Sequence, residues 1–200
     1  MKRNLLGGVY AVTHDSLDEE DLLQKVNQIL LSGIKIIQYR DKVRKKEKKL
    51  LIAKNLRSIC NKFNALLIVN DDVGLAKEIE ADGVHLGQED MKYKEARSVL
   101  GSDLIIGISC QNNLELALKA ESEGADYVAF GSLFQTKSKK DTVKCSVDNL
   151  ISYVQKLNVP IAAIGGINST NISLVKDSGV DMIAMSSGLF LEEDFSFLNL

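Results

Sequence analysis

The chain has 200 residues, 45% of them hydrophobic and 26% charged, with a formal net charge of −2. That is an ordinary soluble globular composition, long enough for one full-sized core. The small net charge excludes a global basic field for nucleic acid or an anionic membrane, and no apolar run is long enough to span a bilayer.

The first segment, MKRNLLGGVYAV, begins basic, but its apolar stretch is short and runs directly into a strand pattern. It reads as no signal peptide, and a cytoplasmic protein is expected. Cys60, Cys110 and Cys145 are scattered, with no C-x-x-C pair. Reduced cytosolic thiols suit that pattern better than a disulfide framework or a zinc site. Nothing is Pro-rich, Ser-rich or low in complexity, so no linker divides residues 1–200, and one domain is expected.

In chain order, eight short apolar runs recur: VYAVT, IKIIQY, ALLIV, GVHLG, LIIGIS, YVAFG, PIAAIG and MIAMS. They are nearly continuous rather than alternating, as expected of strands covered on both faces of a parallel sheet. Helical periodicity fills the gaps. In the first gap Leu22, Val26, Ile29 and Leu30 share a face, Asp15 or Ser16 can cap the start, and Gly33 can close the end. The run RDKVRKKEKKLLIAK (Arg40–Lys54) looks superficially like a nucleic-acid patch. Beyond Lys42 it reads better as the solvated face of the second helix, with Leu50, Leu51 and Ile52 opening the buried side.

The joints repeat as well. SGIKII, EGADYV and SGVDMI each place a glycine just before a strand, where a helix stops in a left-handed residue, and ADGVHL is a variant. Repeated helix–Gly–strand joints mark right-handed βαβ units. Eight units predict an α/β fold, a (β/α)8 TIM barrel near its lower size limit, with a doubly wound open sheet as the competitor. Only ten residues follow Phe190, so the final helix should be short.

Chemistry in such a barrel sits at the C-terminal strand ends. These read Thr13-His14-Asp15, Gln38 with Arg40-Asp41-Lys42, Asn70-Asp71-Asp72, Gln88-Glu89-Asp90, Ser109-Cys110, Gly131-Ser132, Gly165-Gly166 and Ser186-Ser187-Gly188. Strands 7 and 8 offer small residues and backbone N–H groups near helix starts, which is either a phosphate seat or a pair of tight turns. Strands 2 to 4 combine Arg40 and Lys42 with Asp71 and Asp90. Two neighbouring carboxylates need a cation between them. It is either a basic side chain in a salt-bridge cluster, or Mg2+ completed by substrate phosphates, since oxygen ligands and two histidines do not suit zinc. His85, inside a strand, reads as a hydrogen-bonded packing residue. Cys110 has no paired histidine and is not read as a nucleophile.

QYRDK (Gln38–Lys42), VND (Val69–Asp71), ADGVHLGQED (Ala81–Asp90), GIS (Gly107–Ser109), GADYVAFGSLFQTKSKKD (Gly124–Asp141), AIGGI (Ala163–Ile167) and MSSG carry a resemblance to the thiamine phosphate synthase family. It spans roughly Gly8 to Leu189. The resemblance implies a transferase of thiamine biosynthesis. The ring nitrogen of hydroxyethylthiazole phosphate attacks hydroxymethylpyrimidine diphosphate, and thiamine monophosphate and pyrophosphate leave. It also implies ionisation to a pyrimidine carbocation before the attack.

By the same resemblance Gln38, Tyr39, Arg40, Asp41 and Lys42 line the pyrimidine diphosphate, with Asn70 beside them. Asp71 and Asp90 hold Mg2+, Ser109 hydrogen-bonds the diphosphate, and Lys139 pairs with it. Arg40, Lys42, Ser109 and Lys139 form the catalytic set. Thr136, Lys137 and Ser138 lie in the loop over the thiazole phosphate, whose seat is completed by Gly166, Ser186 and Ser187. Three positions depart from the family pattern: Lys137 replaces a usual proline, Asp72 a usual arginine and Gly74 a usual aspartate. Small-molecule substrates are the expected partners, without nucleic acid or membrane, and a homo-oligomer is compatible. The rival readings are a thiazole phosphate tautomerase, which tends to lack the metal and diphosphate residues, and a non-catalytic barrel that binds thiamine precursors.

Overall fold

The computed structural model describes residues 3–135 and 144–198, and eight parallel strands close into a barrel in chain order. They are β1 (Gly8–Val12), β2 (Ile36–Tyr39), β3 (Leu66–Asn70), β4 (Gly83–Leu86), β5 (Ile105–Ser109), β6 (Tyr127–Phe130), β7 (Ile161–Ile164) and β8 (Met182–Met185). Each apolar run has become one strand. β8 returns to β1 from Gly8↔Met182 to Ala11↔Met185, so the ring has no edge and the open-sheet alternative is excluded.

The intervening helices are α1 (Glu19–Leu31), α2 (Lys46–Lys62), α3 (Val73–Glu78), α4 (Tyr93–Leu100), α5 (Leu114–Glu123), α6 (Val147–Val154), α7 (Ile172–Lys176) and α8 (Ser187–Phe190). α8 is short, as expected. α1 buries Leu22, Val26, Ile29 and Leu30, the face read from the sequence. Its cap is Asp18, however, which accepts from the Asp21 N–H at 2.9 Å, while Asp15 is engaged elsewhere. α2 buries Ile52, Ala53, Leu56 and Cys60 and leaves Leu51 half exposed. Three consecutive residues cannot share one helical face. Among the described residues no helix is long and apolar enough to cross a membrane.

Strand alternation divides the core in two. Inside the barrel pack Tyr10, Val12, Ile36, Leu66, Ile68, Ile105, Tyr127, Ala129, Ala162, Met182 and Ala184. Val9, Ala11, Ile37, Tyr39, Leu67, Val69, Ile106, Val128 and Phe130 face the helices. The 3-10 turn Arg3–Leu5 leads into Leu6, and Leu5 and Leu6 pack against the inner cluster.

At the strand starts, Gly33, Gly124 and Gly179 adopt φ of 102°, 98° and 82°, the left-handed stop expected of the repeated joint. The variant joint differs. Glu80, not a glycine, takes the left-handed residue at φ 53°, and Gly83 is already in β4.

Two residues after three of these positions, Glu80, Gly124 and Gly179, comes a second repeat. Asp82, Asp126 and Asp181 use a side-chain oxygen to accept the N–H of Leu67, Ile106 and Ile161, each at 2.8 Å. Each carboxylate therefore ties the start of one strand to the strand before it. Arg97 and Arg3 both pair with Asp126, whose side chain is 7% exposed. Asp126→Ala leaves a strand amide without its acceptor and two guanidiniums without their carboxylate. It should cost about 2–3 kcal/mol, a fall in Tm of roughly 5–10 °C. Catalysis below the melting range should be unchanged, because the site lies at the other end of the barrel. A thermal melt together with an activity assay checks both halves.

Candidate active site

The C-terminal ends of β2 to β5 are neighbours in the ring, and they gather the charged residues into one half of the barrel mouth. Strand parity decides which side chains reach it. Gln38 follows Ile36 on the inner face and is 3% exposed, its Nε2 donating to Tyr10 Oη at 2.7 Å. Tyr10 Oη lies 2.8 Å from Tyr127 Oη, which lies 2.9 Å from His85 Nδ1. The His85 ring stacks on Tyr127 at 5.5 Å and 20°. A buried polar chain thus runs beneath the mouth, and burial raises both tyrosine pKa values well above the ordinary range. His85 is the hydrogen-bonded packing residue read from the sequence. Tyr10 and Tyr127 were not singled out there, though their signal was present: tyrosines at inward positions of otherwise aliphatic strands.

The same parity sends Tyr39 outward. It is 2% exposed, packs in the outer cluster, and donates from its hydroxyl to Asp41 Oδ2 at 3.0 Å. Asp41 accepts from the backbone N–H groups of Val43 and Arg44 and from the Arg44 guanidinium, the last at 2.9 Å. Although burial opposes its ionisation, these hydrogen bonds hold the Asp41 carboxyl below the usual range. Tyr39 and Asp41 therefore shape the turn after β2 rather than join Gln38 at the mouth.

Arg40 and Lys42 are brought to Asp15 and Asp71. Arg40 Nη1 donates to Asp15 Oδ2 at 2.6 Å, and the Lys42 ammonium, half exposed, pairs with Asp71. Asp71 follows Asn70, the last residue of β3, and has a left-handed φ of 65°. Its N–H donates to the His85 carbonyl at 2.8 Å. Such a conformation in a non-glycine residue is uncommon and concentrates at functional sites, where aspartate tolerates it better than most.

Asp90 arrives from the next turn. Its Oδ2 accepts the Gly87 N–H at 2.7 Å, which folds the carboxylate back over the turn. Burial first, and then the Asp71 carboxylate within hydrogen-bonding reach, push its pKa up, while Gly87 N–H and Lys42 pull it down. Asp71 and Asp90 therefore face each other, as the two strand-end carboxylates were expected to do. Among the described residues no group of three or more His, Cys, Asp or Glu gathers as a metal site. Two carboxylates on a solvated mouth suit an ion that keeps several waters and takes its other ligands from substrate phosphates, the habit of Mg2+. The basic side chain of the salt-bridge alternative is also present, since Lys42 pairs with Asp71.

Ser109 ends β5, partly buried, with its carbonyl accepting from Gln88 Nε2 at 2.6 Å. Cys110 beside it is fully buried, and burial pushes its thiol up to about 12, which removes it as a nucleophile. Asp72 caps α3 by accepting the Leu75 N–H at 2.8 Å. Its departure from the family pattern thus carries a local structural task.

The other half of the mouth belongs to β6, β7 and β8. Leu133 N–H donates to Ile164 O at 3.1 Å and Phe134 N–H to Gly165 O at 2.9 Å, so the loops after β6 and β7 are zipped together. A Cβ on Gly166 would stand 2.6 Å from Gln135 O, and its φ is 64°. Glycine is required there by both space and backbone, so the tight-turn reading holds whether or not a phosphate binds. Ser186 precedes α8 and Ser187 begins it, and the first amides of any helix lack an intrahelical acceptor. Thr136, Lys137, Ser138 and Lys139 lie outside the described residues. Gln135, which leads into them, packs on Gly166.

A family model described as thiamine monophosphate synthase matches residues 9–189. The thiamine-phosphate synthase of Thioalkalivibrio sulfidiphilus is 44% identical over 190 residues, covering 94% of this chain and 90% of that one. That of Nitrosospira multiformis is 43% identical over 192 residues, covering 96% and 82%. The solved thiamine phosphate pyrophosphorylase from Pyrococcus furiosus superposes with a TM-score of 0.87 at 35% identity, covering 100% of this chain and 98% of that one. With the barrel closed and the strand-end residues in place, the chain belongs to the thiamine monophosphate synthase family.

Proposed function

We propose that this enzyme joins hydroxymethylpyrimidine diphosphate to hydroxyethylthiazole phosphate, releasing thiamine monophosphate and pyrophosphate. The observation that carries the reading is the facing pair Asp71 and Asp90 with Arg40, Lys42 and Ser109 on adjoining strand ends. A tautomerase acting only on a thiazole phosphate would leave that half of the mouth without a task.

The pyrimidine C–O bond breaks with its electron pair going to the departing pyrophosphate, and the thiazole nitrogen lone pair then forms the new C–N bond. The intervening species is a pyrimidine carbocation, and no proton transfer is needed for the balance. Arg40 and Lys42 supply fixed positive charge where the leaving group gains negative charge. Asn70 and Ser109 add hydrogen bonds to its oxygens. Gln38, anchored on Tyr10, orients the pyrimidine from below. Gly166, Ser186 and Ser187, with Thr136, Lys137 and Ser138, seat the thiazole phosphate and keep its nitrogen close to the reacting carbon. Lys139 pairs with the diphosphate. Asp71 and Asp90 would hold Mg2+, which when bound supplies Lewis-acid stabilisation of the leaving diphosphate.

The test supplies purified protein with both substrates and Mg2+. Thiamine phosphate is then quantified by oxidation to its fluorescent product, with and without EDTA. Product that disappears with EDTA is expected. No product with thiazole phosphate still bound would transfer the assignment to a tautomerase or a binding protein.

A further inference from the structure

The turn after β1 does more for Arg40 than its place at the rim suggests. Thr13 is 1% exposed, and its Oγ1 both accepts the Arg40 N–H and donates to the Arg40 carbonyl, each at 2.8 Å. The Arg40 backbone is thereby clamped on both sides. Two residues on, the Asp15 carboxylate divides its oxygens: Oδ2 takes Arg40 Nη1 at 2.6 Å, and Oδ1 takes the Lys42 N–H at 3.1 Å. One carboxylate thus fixes the guanidinium and the backbone from which the second cation extends. A guanidinium is a planar fork with five N–H donors. Asp15 occupies one corner, and among the described residues no other acceptor engages Nε or Nη2. The donors that remain are the ones a phosphate takes in bidentate fashion.

We infer that Asp15 is a positioning residue for diphosphate binding, acting through Arg40. It holds one corner of the fork so that the rest is presented in a fixed plane before the substrate arrives. The inference rests on the functional reading above, in which Arg40 meets the diphosphate.

A carboxylate near an anion site has two opposed effects. It orders the guanidinium, which strengthens binding, and it repels the anion, which weakens it. The oxygen contact to Nη1 is direct, while the anion must lie beyond the guanidinium, so ordering should win. The substitutions separate the two effects. Asp15→Asn keeps a side-chain carbonyl acceptor and removes the charge, whereas Asp15→Ala removes both.

The measurement is calorimetric titration of inorganic pyrophosphate with excess Mg2+ into the wild type, Asp15→Ala, Asp15→Asn, Arg40→Ala and the Asp15→Ala/Arg40→Ala double variant. Melting curves establish that each is folded. Asp15→Ala should bind about tenfold more weakly and Asp15→Asn within about threefold of wild type. In the Arg40→Ala background Asp15→Ala should change affinity by less than about twofold, because neighbours that act as a unit are not additive. The same loss in both backgrounds, or tighter binding by both Asp15 variants, would overturn the role of Asp15 alone. No pyrophosphate binding by the wild type would instead overturn the functional reading of the mouth, and this inference with it.

Discussion

On the proposed function, Asp71→Ala and Asp90→Asn are each expected to lower turnover by about a thousandfold or more, since each would remove several kcal/mol of charge stabilisation from the departing diphosphate. Their effects on the fold should differ. Asp90 is held above its ordinary pKa by burial and by Asp71. A folded pKa raised above the unfolded value gives stability that is complete below the unfolded pKa and lost as pH rises through the folded one. At neutral pH the ionised Asp90 is therefore a cost to the metal-free fold. Asparagine keeps the acceptor for the Gly87 N–H, now at 2.7 Å, and adds an N–H2 that can donate to Asp71. The metal-free Asp90→Asn variant should melt higher than wild type at pH 7, by about 2–4 °C for each kcal/mol of repulsion relieved. The difference should vanish as the pH falls below the ordinary aspartate range near about 3.9. Adding Mg2+ and pyrophosphate should raise the wild-type Tm and not that of the variant. Full activity in either variant, or a lower Tm for Asp90→Asn at neutral pH, would sink the assignment of the pair as a cation site.

Much of this was legible because a barrel writes its pattern on the chain repeatedly. A strand buried on both faces must be a short apolar block, and each block here became a strand. The left-handed stop before a strand favours glycine for a steric reason, so Gly33, Gly124 and Gly179 marked joints without any structure. Glu80 shows the limit of that rule: the backbone demand is the same, but a residue with a side chain meets it, and the glycine nearby in ADGVHL serves another purpose. A Cβ on Gly83 would meet Ile105 O at 2.2 Å, which is a packing demand from a neighbouring strand that local sequence does not show.

The site was legible to the extent that strand ends are. Asp71 and Asp90 stood out because two buried strands finished in carboxylates, and the fold does bring them face to face. What the linear motif QYRDK concealed was parity. A strand alternates its faces, so Gln38 and Tyr39 cannot both enter the mouth, and the outward one ends among the helices. Neither Asp15 nor Ser16, the two candidate caps, caps α1, and for Asp15 the reason is related. Its partner Arg40 is 25 positions away in sequence and becomes adjacent only when β1 and β2 pair. Long-range ion pairs leave no mark in a local window.

Gly107→Ala should be a strongly destabilising small substitution in the barrel interior. A Cβ there would stand 2.0 Å from Tyr127 Cζ and 2.5 Å from its hydroxyl oxygen. Tyr127 cannot easily yield. It is fully buried, edge-on to Tyr10 at 6.0 Å and 77°, stacked on His85, and hydrogen-bonded to both. Displacing the ring breaks the polar chain that ends on Gln38, leaving buried hydroxyls unpaired in addition to the overpacking. A loss of about 3 kcal/mol is expected, a fall in Tm of roughly 6–12 °C, read from thermal or urea unfolding. The cause can be isolated with a second substitution. Tyr127→Leu should itself destabilise, because it removes the partner of Tyr10 and His85. With the ring gone, however, the three atoms nearest the Cβ of Gly107→Ala are removed. The double variant should be about as stable as Tyr127→Leu alone, a coupling of the size that contacting residues show. Losses that simply add would mean that the strain at position 107 comes from the strand backbone and not from the ring. In the surviving fold of Gly107→Ala, KM for the pyrimidine substrate should rise, because the Tyr10 hydroxyl that orients the Gln38 amide has lost its own anchor on Tyr127.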